Sequence, residues 1–543
     1  MPLVSADVLA GDFDVCIVGA GPAGLACAFA CHDRGLKVLV LDAGKERPVP
    51  GKPDILAAEI GDKNAHDPVE IVAASALGGS SHWWGGRSVP LDPVDLRTWP
   101  ITWDELLPWW RCAAELIGAG AVVERPAPGK FASLTQFHAD AHETWTPTPV
   151  LAGRWRKRIA GKDGPAVLLQ ARVTGLHHEH RALTSLDVLT PAGQRTAKAR
   201  RFVLACGGLG GMRLMLLAQR ADPSMFGGAG GPLGRGYMGH LSGSISDLVF
   251  DNRSDADAFG YYNTGIGYMA RRRLLPRFET VEQNNIGNTA FWLSNPTPAM
   301  AGHGSAMVSA RFLAATTVRL LAGEWGMAEL PPLSPHFANV GKAPWSAVAG
   351  LTGAAWTMAA SRITKQNYLP RRFLTSGGGG WRLVYHAEQR NDPSNRISLG
   401  DEKDSIGMPK LRIDFRFKDH DTAAVVRTHE LLDEDLRKAG AGKLRWTTTD
   451  PQARVAASAR DGYHQIGGAV MSTHPSKGVV DPYCRVHDLE NLWIASSNVF
   501  PTSGQANPTL TIMALSCRIA DQIALAAGRP RATAKASPIS LAS

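Results

Sequence analysis

The sequence predicts an α/β protein: a Rossmann-type dinucleotide-binding domain, interrupted by an inserted α+β domain built on an antiparallel sheet. Three observations carry this reading. A strand, a glycine turn and a helix open the chain at residues 14 to 35. A second apolar strand running into glycines comes far downstream, at 200 to 211. Residues 381 to 417 hold three strand-like runs, WRLVYHAEQ, RISLGD and KLRIDFRF, before an amphipathic helix over Asp421 to Ala439. At 543 residues the chain exceeds what one hydrophobic core supports, so two large domains, interleaved or serial, are expected.

The first element is DVCIV, a short buried strand, followed by Gly19-Ala-Gly21-Pro22-Ala23-Gly24 and a helix ending at Gly35. The strand KVLVL then ends at Asp42. Each part has a task. Gly19 makes the tight turn, Gly21 admits a pyrophosphate to the backbone, and Gly24 lets helix and strand pack closely. The helix N-terminus faces the phosphates, and Asp42 accepts from a ribose hydroxyl. This fingerprint alone leaves FAD and NAD open. The downstream stretch RRFVLACGGLGG, with Gly207, is similar to the second glycine motif of flavoproteins with a glutathione-reductase-like fold. In such folds the preceding strand, here near Ala171 to Val173, lies beside the adenine. That similarity favours FAD.

Near the C-terminus, DLENLWIAS reads as a turn and a buried strand. Asn507 then precedes Pro508 and Thr509, the pattern of an N-cap with proline at the first helical position. Leu510, Met513, Ala514, Cys517 and Ala520 follow at helical spacing and mark a buried face. The free N–H groups of such a helix start favour negative charge.

GGSSHWWGG (78 to 86), GPLGRGYMGH (231 to 240), the HQIGG segment and ANPTLT, in this order with the opening fingerprint, resemble the glucose–methanol–choline family of flavin oxidoreductases. PTSGQANPTLT and MPKLRIDFRF are most similar to its pyranose-oxidase-like branch. The resemblance implies that an alcohol loses its hydroxyl proton to a base while its carbinol hydrogen leaves as hydride to flavin N5. His464 and Asn507 match the family's base and partner positions. A histidine suits a base near neutral pH, and an asparagine donates without titrating. Gly78, Gly79, Ser80, Ser81, His82 and Trp83 are expected along the flavin. Some members bond a histidine of this loop to the flavin, but counting from the glycine pair puts that position at Trp83. A non-covalent FAD is therefore expected, with His82 as the alternative anchor. Ser496 stands where the family often has an acidic residue. Ser496, Asn498, Pro508 and Thr509 are expected at the cofactor. Asp414, Tyr385, Glu388 and Gln389 are the candidate substrate contacts.

The resemblance also divides the chain. Residues 1–100, 150–245 and 455–528 form the FAD domain, 101–149 a connecting cap and 246–454 the substrate domain, with a lid, oligomer interface or membrane-resting patch over 298–375. Thr102 or Asp104 caps a helix in the connecting segment. Residues 529–543 read as a disordered tail. The net charge of +9 is scattered and no nucleic-acid module appears. Seven separated cysteines without a CxxC argue against a disulfide framework or a zinc ribbon, and no metal site is expected. The opening residues show no secretory signal, so a cytoplasmic location is the default. The uncharged run 343–361 is too poor in large apolar residues for a membrane span. The expected activity is FAD-dependent oxidation of an alcohol, most simply a sugar or glycoside, with oxygen, quinone or another acceptor. A non-sugar alcohol is the first alternative. An NAD-binding protein or a non-catalytic flavin-binding protein is the second.

Overall fold

The computed structural model describes residues 4–49, 56–119, 125–161, 164–264, 268–294, 301, 304–321, 332–364 and 380–530. Its centre is a five-stranded, wholly parallel sheet. The order is Leu492–Ile494, Arg201–Leu204, Val15–Val18, Val38–Leu41 and Ala166–Leu168. These strands read as continuous apolar runs because both faces are covered, as parallel sheets require. The Pro22–His32 helix packs on the long C-terminal helix Thr509–Ala526, which in turn packs on Trp103–Ile117. Thr102 and Glu105 close a capping box at the start of Trp103–Ile117, and Gly118 ends it with φ of 74°. Thr509–Ala526 is the one described helix long and apolar enough to cross a membrane; it is largely buried in the core.

The expected N-cap at the C-terminal helix is corrected by one residue. Pro508 occupies the cap position and Thr509 begins the helix. The Asn507 side chain caps nothing, because other side chains hold it.

A second core surrounds a four-stranded antiparallel sheet, ordered Thr289–Ser294, Trp381–Glu388, His240–Phe250 and Gly442–Trp446. Helices Asp419–Ala439 and Pro451–Ser458 back it. The run 396–414 departs from the expected plan. Arg396–Lys403 and Pro409–Asp414 form a hairpin that pairs in parallel with Ala58–Ile60. Ile397, Leu411, Ile413 and Phe415 alternate into the first core, so this piece of the 246–454 segment belongs with the central sheet.

A smaller antiparallel sheet joins distant segments: Arg87–Ser88, His142–Trp145, Met269–Arg272 and Tyr261–Asn263. Three helices, Ala306–Leu321, Ser334–Lys342 and Pro344–Thr364, pack on one another around Ala306, Ala310 and Ala347. They leave Val318, Leu321, Phe337, Trp345 and Trp356 exposed. The rest of the expected 298–375 lid, including Lys365, Arg371 and Arg372, and the tail from 531 lie outside the described residues. No described cysteine is in a disulfide, although Cys112 Sγ lies 3.0 Å from Cys517 Sγ, across the contact between the Trp103–Ile117 and Thr509–Ala526 helices.

Candidate active site

A cavity of about 900 Å³ runs from the glycine turn to the second core. That volume is near the upper end of the usual range for ligand pockets. Gly19, Gly21, Pro22 and Ala23 line one end with Asp42, Val173 and Gly207. Gly19 has φ of 109°, and a Cβ there would meet Ala205 O at 2.4 Å. Gly24 does not line the cavity; a Cβ on it would meet Gly19 O at 1.9 Å, so it is the packing glycine. Ala20 N donates to Asp42 Oδ2 at 2.7 Å and Gly44 N to Oδ1 at 2.8 Å. Burial pushes the Asp42 carboxyl up, and those two amides pull it back. The glycine cradle, the fixed carboxylate and the helix start at Thr509 fit an FAD laid along this cavity.

Gly79, Ser80 and Ser81 line the cavity, as do Trp83 and Trp84. Gly78 does not; with φ of 96° it turns the chain against Ala152. Residues Gly79–His82 form one 3-10 turn, which sends His82 away from the cavity. Its Nε2 bonds Leu77 O at 3.0 Å, while Trp83, 46% exposed, borders the cavity. His82 is thus not placed as a cofactor contact. Ser496, Pro508 and Thr509 line the cavity. Asn498 is fully buried behind Ser496, with its Nδ2 donating to Gly467 O at 2.9 Å and its Oδ1 accepting from Ser496 Oγ at 2.6 Å.

The four expected substrate contacts all lie elsewhere. Asp414 pairs with Arg412 at the end of the Pro409–Asp414 strand, away from the cavity. Tyr385 is buried in the second core against Gly243. Glu388 holds Arg97 and the Asn288 amide, and Gln389 bonds Gly239 N and Arg416 O. Their side chains are consumed by the framework, so they are corrected from substrate contacts to structural residues.

His464 and Asn507 are brought together on the cavity wall. His464 Nδ1 bonds Asp461 Oδ2 at 2.8 Å, and its Nε2 faces Asn507 Nδ2 at 2.8 Å. Arg87 donates to Asn507 Oδ1 from Nε at 2.7 Å and also from Nη2. A guanidinium only donates, so the oxygen of Asn507 must face Arg87 and its NH2 must face His464. His464 therefore carries its proton on Nδ1, toward Asp461, and presents a bare Nε2. Asp461 also accepts from the backbone N–H of Gly462, Tyr463 and His464, and from that of His240. Burial alone would raise its carboxyl; His464 and these amides hold it well below the usual range.

His240 and His386 stand behind His464, at ring separations of 4.6 and 5.4 Å. Burial pushes His240 down to about 3 and His386 well below its ordinary value, with His464 adding to both. Both are neutral. The three imidazoles could in number hold a metal ion. Both nitrogens of His464, however, are already engaged by Asp461 and Asn507.

Asp461 and Arg87 are the members that sequence reasoning missed. Asp461 lies three residues before His464 in DGYH, a spacing that one turn brings into contact. Arg87 directly follows the GGSSHWWGG loop.

Residues 391–516 match the family description "GMC oxidoreductase", and residues 14–49 match "FAD binding domain". The chain is 24% identical to a 6'''-hydroxyparomomycin C oxidase of Streptomyces lividus, over 95% of this chain and 92% of that one. It is 22% identical to a 2-methyl-1,2-propanediol dehydrogenase of Mycolicibacterium austroafricanum, over 94% and 95% of the two chains. Among solved structures, a formate oxidase of Aspergillus oryzae RIB40 shares the fold with a TM-score of 0.53 and 15% identity, over 95% of this chain and 98% of that one.

Proposed function

This chain belongs to the GMC oxidoreductases and is an FAD-dependent oxidoreductase acting on alcohols; from that premise we propose that His464 is the base, that Asn507 holds the reacting hydroxyl, and that the substrate is a sugar or glycoside. Bound FAD supplies the hydride acceptor. The protein's task is to make the carbinol hydrogen leave easily, by taking the hydroxyl proton as that hydrogen departs.

In the resting site the Asn507 amide occupies His464 Nε2. A substrate hydroxyl takes over that contact and donates to Nε2, while Asn507 Nδ2 donates to the hydroxyl oxygen. The proton then passes to Nε2. Asp461, an anion held on Nδ1, stabilises the imidazolium that forms and fixes the ring's tautomer. Arg87 acts as a positioning residue through the Asn507 oxygen. Asn507 stabilises the developing oxyanion as a prealigned donor. Neutral His240 and His386 add no competing charge behind His464. The FAD would be held by the Gly19 to Ala23 turn, Asp42, Val173, Gly207, the Ser80–Ser81 pair, Ser496 and the Pro508–Thr509 helix start.

The observation that carries this reading is the unbroken line Asp461–His464–Asn507–Arg87 on the wall of a dinucleotide-sized cavity. The sugar assignment is supported by the relative named for a paromomycin, since paromomycins are aminoglycosides. The relative named for a propanediol favours a second reading, a small non-sugar alcohol. The test is an anaerobic titration of the yellow holoprotein with sugars, glycosides and simple diols. Bleaching by a sugar or glycoside at lower concentration than by any diol is expected; bleaching by diols alone overturns the sugar assignment. Because His82 is turned to Leu77 O, acid precipitation should leave the flavin colour in the supernatant. Colour in the pellet overturns non-covalent binding.

A further inference from the structure

The cavity wall beside Asn507 carries more positive charge than its own residues neutralise. It is one face of the small antiparallel sheet. Arg271 lies directly opposite Glu143 on one side and Tyr261 on the other, and Arg87 lies opposite Trp145. Glu143 is fully buried and meets three guanidiniums. Arg271 Nε donates to its Oε1 at 2.8 Å, with a second bond from Arg271 Nη2. Arg87 Nη1 is 3.4 Å from its Oε2, and Arg273 Nε is 3.8 Å away. Burial alone would raise Glu143, but Arg271, Arg87 and Arg273 together hold it below its ordinary value, so it is one full anion against three cations. The next carboxyl on this side, Asp95, does not add a second. Burial and the adjacent Asp92 and Glu388 push it up to about 8. Arg97, a further cation, is occupied with Glu388.

Trp292 organises the cluster. Its ring has the guanidinium carbons of Arg87, Arg271 and Arg273 at 4.8, 5.0 and 5.7 Å. Stacking of this kind uses the flat face of a guanidinium and leaves its N–H edge for oxygen acceptors. Arg271 gives that edge to Glu143, to Tyr261 Oη at 2.9 Å and to Leu293 O at 3.5 Å, and its remaining N–H hydrogens are the ones a ligand can take. Arg87, Arg271, Tyr261 and Trp292 all line the cavity. Arg273 stays behind them, 1% exposed, and its Nη1 makes no hydrogen bond. Burying surplus guanidinium charge is unfavourable unless something completes it. Arg87 also touches Asn507, so the surplus stands one residue away from the position of the reacting hydroxyl.

We propose that the substrate is a hydroxy acid, a sugar acid or uronide in the sugar reading, whose carboxylate docks on Arg87 and Arg271 beside Trp292 while its hydroxyl meets His464 and Asn507. This rests on the assignment of His464 and Asn507 to the reacting hydroxyl. The carboxylate supplies the missing negative charge and orients the molecule, and the carbon to be oxidised is set close to it. A neutral sugar of the same shape leaves the surplus guanidinium charge of this cluster uncompensated.

The test uses two matched pairs on the full-length FAD-loaded protein under anaerobic conditions: glucuronate against glucose, and 3-hydroxypropanoate against 1,3-propanediol. Within each active pair the acid should bleach the flavin with a kcat/KM on the order of 100-fold above its neutral partner, the usual worth of a charge-assisted hydrogen-bond pair. Equal or better use of the neutral partner overturns the proposal and leaves the alcohol-oxidising reading intact. Activity confined to the three-carbon pair overturns the sugar assignment, and the ratio within that pair still decides the carboxylate. If neither pair bleaches, acetate decides: it should perturb the flavin spectrum saturably in wild type and weakly in Arg271→Met. No saturable perturbation in wild type overturns the proposal. Arg271→Met should bring the acid-to-neutral ratio near one, and Arg271→Lys should restore part of it. If Arg271→Met does not fold, Arg271→Lys and the wild-type ratios carry the test.

Discussion

On the cofactor side the cavity wall is largely backbone: the Gly19 to Ala23 turn, the Gly79 to Ser81 turn and the start of the Thr509 helix. On the substrate side it is built of side chains that hold one another, Asp461 on His464, Arg87 on Asn507 and Glu143 under three arginines. The first kind of wall depends on the room a residue leaves, the second on the partner it keeps. A backbone wall therefore fails when a side chain is added, and a side-chain wall fails when one is trimmed.

The most severe break is expected on the backbone side. Gly24→Val places a Cβ 1.9 Å from Gly19 O and should abolish FAD retention, read as the flavin-to-protein absorbance ratio of the purified protein. Gly153→Ala is the control; nothing lies within 4 Å of its added carbon, and it should retain FAD as the wild type does. On the other side, His464→Ala keeps the yellow colour but should slow flavin bleaching by roughly 100-fold or more, the ordinary contribution of a general base. A near-normal rate would remove His464 from its role. Asp461→Asn cannot fix the Nδ1–H tautomer as an anion and should cost about 10- to 100-fold, as loss of an orienting partner usually does. It should do so with FAD content intact.

The smallest effect concerns Asp95. Its folded carboxyl is raised to about 8, whereas in the unfolded chain it ionises near an ordinary value of about 4. Between those values the unfolded chain releases a proton that the folded chain keeps, so Asp95 lowers stability progressively as pH rises from about 4 to 8, with no further change above. Asp95→Asn should flatten the fall in Tm over that window. An unaltered profile would show that Asp95 titrates normally.

The same contrast explains what could be read in advance. The glycine turn, Asp42 and the C-terminal helix were legible because each is a local arrangement with its own spacing rule. His464 and Asn507 sit in recognisable segments, and the fold brings them to 2.8 Å. The arginine wall was not legible. RRR at 271 to 273 is part of the scattered positive charge of the sequence, yet strand alternation sends Arg271 and Arg273 toward Glu143 and Arg272 to the other face, where it bonds the carbonyls of Arg125, Ala139 and Ala258. That requires knowing the pairing of three segments scattered between residues 87 and 272. Asp414 misled for a related reason: a polar residue on a strand says which face it shares, not whether that face borders the cavity. Of the two residues expected along the flavin, Trp83 borders the cavity and His82 turns away, because a one-residue step in a 3-10 turn rotates a side chain by about a third of a circle.

The central sheet also has an order of manufacture. Its edge strand Leu492–Ile494 and the core helix Thr509–Ala526 are made after every other described strand and α-helix of the chain. Until they arrive, Arg201–Leu204 lacks its outer neighbour and Pro22–His32 lacks the helix it packs on. A nascent chain cut at residue 490 displays an open parallel edge and a bare apolar helix face, the kind of surface that chaperones bind and that aggregates when left alone. Cofactor capture is in this way tied to the synthesis of these two elements. A chain that stops short is not a weaker enzyme but an unfinished core, and quality control can recognise it before any chemistry begins.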